Sequence, residues 1–105
     1  MTYKKLVRDH IPNIIRNVGE TPITRTLSDD EFREELRKKL VEEALECAQA
    51  TTREEFVAEL ADIEEVIQTL REMSQVSQEE VERVRVCKQE HKGGFSKRIF
   101  LEDVR

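Results

Sequence analysis

The chain has 105 residues, a formal net charge of −5, and 39% charged against 37% hydrophobic side chains. That composition predicts one domain over residues 1–105, small enough that association would help complete its core. Mixed-sign charge argues against a nucleic-acid polymer as partner. No apolar run reaches the length of a membrane span, and the opening MTYKKLVRDH lacks a signal-peptide core, so a cytoplasmic location is expected.

In chain order, Asp9 is placed to cap a short first helix, with Pro12 tolerated in its first turn and Gly19 just past its end. Leu6, Val7, Ile11, Ile14 and Ile15 supply its apolar face. Thr21 to Leu27 reads as extended, with Ile23, Arg25 and Leu27 alternating against threonines. Three helices follow, over about 29–50, 52–74 and 78–91. Each opens on a capping-box signature: Ser28 with Glu31, Thr52 with Glu55, and Ser77 with Glu80. The third is the least amphipathic, and Gly93-Gly94 stops it. Ser96 to Val104 reads as a short strand able to pair with Thr21–Leu27 in a two-stranded ribbon.

The chemistry concentrates on the helical hairpin that breaks at Thr51-Thr52. Folding the chain there sets Glu46 opposite Glu59 and Glu43 opposite Asp62, with Glu46 and Glu59 each roughly 10 Å from the turn. Phe32, Leu36, Leu40 and Cys47 form an apolar stripe about 80° wide that contains Glu43 and has Glu46 and Lys39 on its flank. On the facing helix Phe56, Ile63, Val66, Ile67, Leu70 and Met73 make the apolar side, with Glu59 inside it and Asp62 on its edge. Lone charges on core-facing stripes cost several kcal/mol each, about the scale of a lost buried ion pair. Two remedies exist: protons held on raised pKa values, or a bound cation. Hard oxygen ligands favour Mg²⁺ or Mn²⁺, which also suit phosphates.

Other chemistries find little support. Cys47 and Cys87 show neither metal-ligand spacing nor a redox dipeptide, and His10 and His91 belong to no triad. The run Lys92-Gly93-Gly94-Phe95-Ser96-Lys97-Arg98 joins backbone freedom to positive charge, which suits a phosphate, although it is not a P-loop. Phe95 there can stack on a base or cap the core.

Glu42-Glu43-x-x-Glu46, followed after twelve residues by Glu59-x-x-Asp62, resembles the E-x-x-E…E-x-x-D signature of the MazG-like all-α nucleotide pyrophosphohydrolases. Lys39-Leu40 ahead of the acids suits the same pattern. The opening Tyr3-Lys4-Lys5-Leu6-Val7-Arg8-Asp9 and the later Gly93-Gly94-Phe95 look like a short house-cleaning branch related to phosphoribosyl-ATP pyrophosphohydrolases. The resemblance implies an all-α fold and hydrolysis of a nucleoside triphosphate to monophosphate and pyrophosphate by direct water attack. It implies Mg²⁺ (or Mn²⁺) on Glu43, Glu46, Glu59 and Asp62, with Glu42 or Glu46 activating the water. Arg8, Lys39, Lys97 and Arg98 would contact phosphates, and Phe95 the nucleotide. His10 stands where that branch often carries lysine.

Two alternatives remain open: a phosphoribosyl-ATP pyrophosphohydrolase, and a non-catalytic helical dimerisation or adaptor module. A long hairpin exposes more apolar helix than so small a monomer covers. A homodimer is therefore expected, its two hairpins forming a four-helix bundle, with a tetramer and a pocket shared between subunits both open.

Overall fold

The computed structural model describes residues 4–105, and its regular structure is entirely helical. Tyr3, part of the opening motif, lies outside the described residues. Helix α1 spans Ile11–Asn17, α2 Asp29–Gln49, α3 Arg53–Met73 and α4 Gln78–Lys92. Among the described residues no helix is long and apolar enough to cross a membrane.

Local chemistry accounts for the helix ends. Ser28 Oγ accepts from the Glu31 N–H while the Glu31 carboxylate accepts from the Ser28 N–H, a complete capping box. At α3 and α4 only half of the box forms. The Thr52 and Ser77 hydroxyls accept from the backbone of Glu55 and Glu80, but the Glu55 carboxylate turns to the N–H of Thr51 instead, at 3.1 Å. At α1 the cap position falls on His10 rather than Asp9, and no side chain caps the helix; Leu6 and Val7 precede it. Pro12 sits in the first turn as expected, where no helical N–H is needed.

Two helices end in Schellman geometry. The Glu20 N–H bonds the Ile15 carbonyl and the Gly19 N–H the Arg16 carbonyl, with Gly19 at φ +86°. The Val76 N–H bonds the Arg71 carbonyl and the Gln75 N–H the Glu72 carbonyl in the same way. There Gln75 adopts φ +55°, a left-handed position more often given to glycine.

The expected β ribbon does not form. Residues 20–28 and 99–105 are irregular, and no strand occurs among the described residues. Ile23 is 98% exposed and Phe100 86% exposed, so neither segment has an apolar surface to lie on. A two-stranded ribbon without such support is marginal in water.

The tertiary structure is essentially one antiparallel hairpin, α2 on α3, reversing across Ala50-Thr51-Thr52 in extended backbone. Only Leu36, Val66 and Glu43 are buried among the described residues, and α4 buries nothing. The Cα radius of gyration is 18.2 Å, against about 13 Å for a compact domain of this length. The structure is therefore open, and one of the three buried side chains among the described residues is a carboxylate.

Candidate metal centre

The hairpin register brings Glu43 and Glu46 of α2 against Glu59 of α3. One carboxylate oxygen from each lies within 4.8 Å of the others. Glu43 is 6% exposed, Glu59 half-buried, and Glu46 exposed at the rim. The stripe position of Glu43 thus becomes real burial, beside Leu36 on the same helix face.

Neutralisation of this cluster is incomplete. Lys39 Nζ stands 3.6 Å from Glu43 Oε1 and 3.4 Å from Glu42 Oε2, so one ammonium is divided between two carboxylates. The second oxygens of Glu43 and Glu59 are buried without a hydrogen-bond partner. An unpaired polar atom out of water costs roughly 1–3 kcal/mol, more when charged. Burial pushes the Glu43 carboxyl up to about 7, helped by the adjacent Glu59 carboxyl and the negative charges of Glu46 and Asp62. Glu59 is also raised, again by burial first.

These features fit a hard divalent cation. Three carboxylates, two with orphaned buried oxygens, supply the donor type that Mg²⁺ and Mn²⁺ prefer. Ligand oxygens around Mg²⁺ lie about 3 to 4 Å apart, so small side-chain rotations would gather the three groups onto one ion. The exposed Glu46 side leaves room for water or phosphate.

Asp62, the fourth expected ligand, is not part of this cluster. Its Oδ1 accepts from Arg8 Nη2 at 2.7 Å, and Arg8 Nη1 lies 3.6 Å from Glu65 Oε1. The segment before α1 is thereby tied to α3, and the guanidinium occupies the carboxylate that would complete a set of four. Glu65, one turn after Asp62, was not singled out by sequence; its spacing on α3 was the available signal. Glu42 is held by Lys39 outside the three-carboxylate group.

The other expected nucleotide contacts lie apart. Residues 92–99 curl around a concavity of about 500 Å³ lined by Lys92, Phe95, Lys97 and Arg98, with no residue of α2 or α3 in its wall. Phe95 is 98% exposed and does not cap the core. Within one chain, then, Arg8 and Lys39 adjoin the acids, whereas Lys97, Arg98 and Phe95 do not.

No family model and no solved structure matches the chain. An uncharacterised protein of Mycolicibacterium smegmatis is 54% identical over 50 residues, which cover 48% of this chain and 51% of that protein. The match therefore spans about half the length of that relative.

Proposed function

We propose that the chain is a divalent-cation-dependent nucleotide pyrophosphohydrolase, converting a nucleoside triphosphate to its monophosphate and pyrophosphate. The observation that carries this reading is the buried Glu43, clustered with Glu46 and Glu59 and left with an unpartnered oxygen. A cation would satisfy a carboxylate in that position, and the E-x-x-E…E-x-x-D pattern around it resembles that of nucleotide pyrophosphohydrolases. Bound Mg²⁺ or Mn²⁺ supplies Lewis acidity toward a phosphate and neutralises a leaving pyrophosphate.

The side chains then divide the work. Glu43 and Glu59 would hold the cation from inside, and Glu46 from the rim. Glu46 and Glu42 are the carboxylates available to take a proton from the attacking water. Arg8 and Lys39 offer positive charge beside the acids, where it stabilises the charge that builds on the phosphates. Asp62 would be free to join the ligands if Arg8 engaged a phosphate instead. No nucleophilic side chain is required. A second copy would cover part of the exposed hairpin, two hairpins meeting as a four-helix bundle, with a tetramer left open and a cytoplasmic location expected.

The test is product release from a panel of nucleoside triphosphates, deoxynucleotides and phosphoribosyl-ATP, with and without Mg²⁺, beside a Glu46→Gln control. Mg²⁺-dependent monophosphate and pyrophosphate, lost in the variant while helicity is retained, is the expected result. Turnover confined to phosphoribosyl-ATP would assign that narrower activity. No turnover from folded protein, with Glu46→Gln and Asp62→Asn both tolerated, would favour the adaptor module, which the open apolar surface of the hairpin also suits.

A further inference from the structure

The hairpin and the segment after α4 are each incomplete, and in complementary ways. The accessible surface is 9857 Å², where a compact monomer of this size exposes about 6,100 Å². The excess, on the order of 3,700 Å² on one chain, is more than enough for one partner's side of an obligate interface, which buries about 2,000–5,000 Å² over both partners. Part of it is apolar surface in the segment after α4, where the most exposed large side chains cluster. Phe95, Ile99, Phe100 and Leu101 are 98, 83, 86 and 74% exposed, and every residue from 93 to 105 is exposed. Contiguous apolar surface of this kind marks an interaction site.

Charge points to the occupant. Residues 92–101 carry Lys92, Lys97 and Arg98 and no acid. Around the buried Glu43 the hairpin presents Glu42, Glu46, Glu59, Asp62 and Glu65, with Lys39 bridged to Glu42 and Glu43 and Arg8 to Asp62 and Glu65. The order of side chains matches as well. In the segment two cations are followed directly by three apolar residues, at about 3.3 Å per extended residue. On α3 the carboxylate of Glu59 has Phe56 and Leu60 within one turn and Ile67 beyond, and these three are 46, 41 and 40% exposed. In its own chain the segment stands clear of this surface, because α4, about 22 Å long, does not pack extensively on the hairpin.

We infer that residues 95–101 form an exchanged arm that docks on the hairpin of a second copy, seating Ile99–Leu101 on the α3 apolar ridge and delivering Lys97 and Arg98 to that copy's carboxylate cluster. Each centre is then composite: carboxylates from one copy, two phosphate-binding cations from the other. The docking stands on exposure and charge alone, whereas the role given to Lys97 and Arg98 rests on the pyrophosphohydrolase reading.

Two measurements on the full chain test it. Sedimentation velocity at micromolar concentration is expected to show a wild-type dimer and a monomeric Phe100→Asp/Leu101→Asp variant of unchanged helical content. A monomeric wild type, or a dimer that persists in the variant, would overturn the docking; the first outcome would leave the arm to a different partner. Co-expression of Glu46→Gln with Lys97→Ala/Arg98→Ala chains is expected to restore about a quarter of wild-type hydrolysis, since half of random pairs are mixed and each holds one complete site. Each variant alone should be inactive. An inactive mixture beside an active wild type would show that the arm serves its own chain. If the wild type hydrolyses no nucleotide, the functional reading fails, and sedimentation still decides the docking.

Discussion

Replacing Glu43 by glutamine should make the protein more stable without metal and less stable with it. The Glu43 carboxyl lies at about 7 in the folded chain against an ordinary 4.5. Between those two values the native state binds more protons than the unfolded state, so stability falls as pH rises through the window. Below about 4.5 the full contribution is present; above about 7 it is gone. Each pKa unit corresponds to about 1.4 kcal/mol, so ionising Glu43 costs up to about 3 kcal/mol at pH 8, and about 2 if water reaches the site as it opens. A glutamine side chain at this position has nearly the same shape and no charge to desolvate. In chelator at pH 8, denaturant unfolding should show Glu43→Gln more stable by about 2 to 3 kcal/mol, the gap closing by pH 4. With Mg²⁺ at a thousandfold excess over its dissociation constant, the wild type should gain about 4.1 kcal/mol and the variant little, reversing the order. Protein concentration must be held fixed if the chain associates. A wild type whose stability in chelator is flat from pH 5 to 8, or a glutamine variant weaker at every pH, would refute the reasoning.

Arg8→Ala should leave stability within about 0.5 kcal/mol, because its ion pairs are solvent-exposed. Mn²⁺ affinity, read by calorimetry, should rise several-fold as Asp62 is released to the cation, while hydrolysis falls; unchanged affinity would show that the guanidinium does not compete. Ser28→Ala removes a complete capping box and should cost about 1 kcal/mol, and Ser77→Ala less, both measured by urea unfolding. Leu36→Ala, at the most buried apolar position, should cost about 2 to 4 kcal/mol; a loss under 1 would mean the α2–α3 seam is not the core. Glu31, held down to about 2 by Arg25 first and by the Ser28 N–H next, should keep its charge in titrations until well below pH 4, and Arg25→Ala should raise it part of the way, the capping bond from Ser28 still holding it down.

Helix starts were legible because they are short-range chemistry. Ser28, Thr52 and Ser77 each lie three residues from the group they engage, and such pairs can be read along the chain. The inward position of Glu43 was legible for a related reason: helical periodicity alone sets it beside Leu36. Asp62 was a different matter. Its partner is 54 residues away in an irregular segment, and no periodicity in α3 reveals that an arginine arrives there. The alternation in Thr21–Leu27 misled because a period of two describes a strand only when a neighbour supplies hydrogen bonds, and here none does. At α1 the cap shifted to His10 because the Ile11 N–H is already taken by the Arg8 carbonyl at 3.1 Å, a turn that precedes the helix. The divided placement of the basic residues, Arg8 and Lys39 beside the acids and Lys97 and Arg98 apart from them, depends on where α4 leads. Its sequence, with Val81, Val84 and Val86 the main apolar positions, holds no strong instruction on that point.

The hairpin turn also bears on how the molecule assembles in time. Glu43 and Glu59 are separated by only sixteen positions, so the carboxylates meet in the same event that closes α2 onto α3. Low contact order of this kind ordinarily permits closure in microseconds to milliseconds. Here closure gathers like charges into the seam, which places electrostatic resistance on the folding step rather than on unfolding. A divalent cation should therefore act mainly on the folding limb of a chevron, quickening collapse while leaving the unfolding rate nearly unchanged. Dependence confined to the unfolding limb would mean that the carboxylates come together only after the helices have docked.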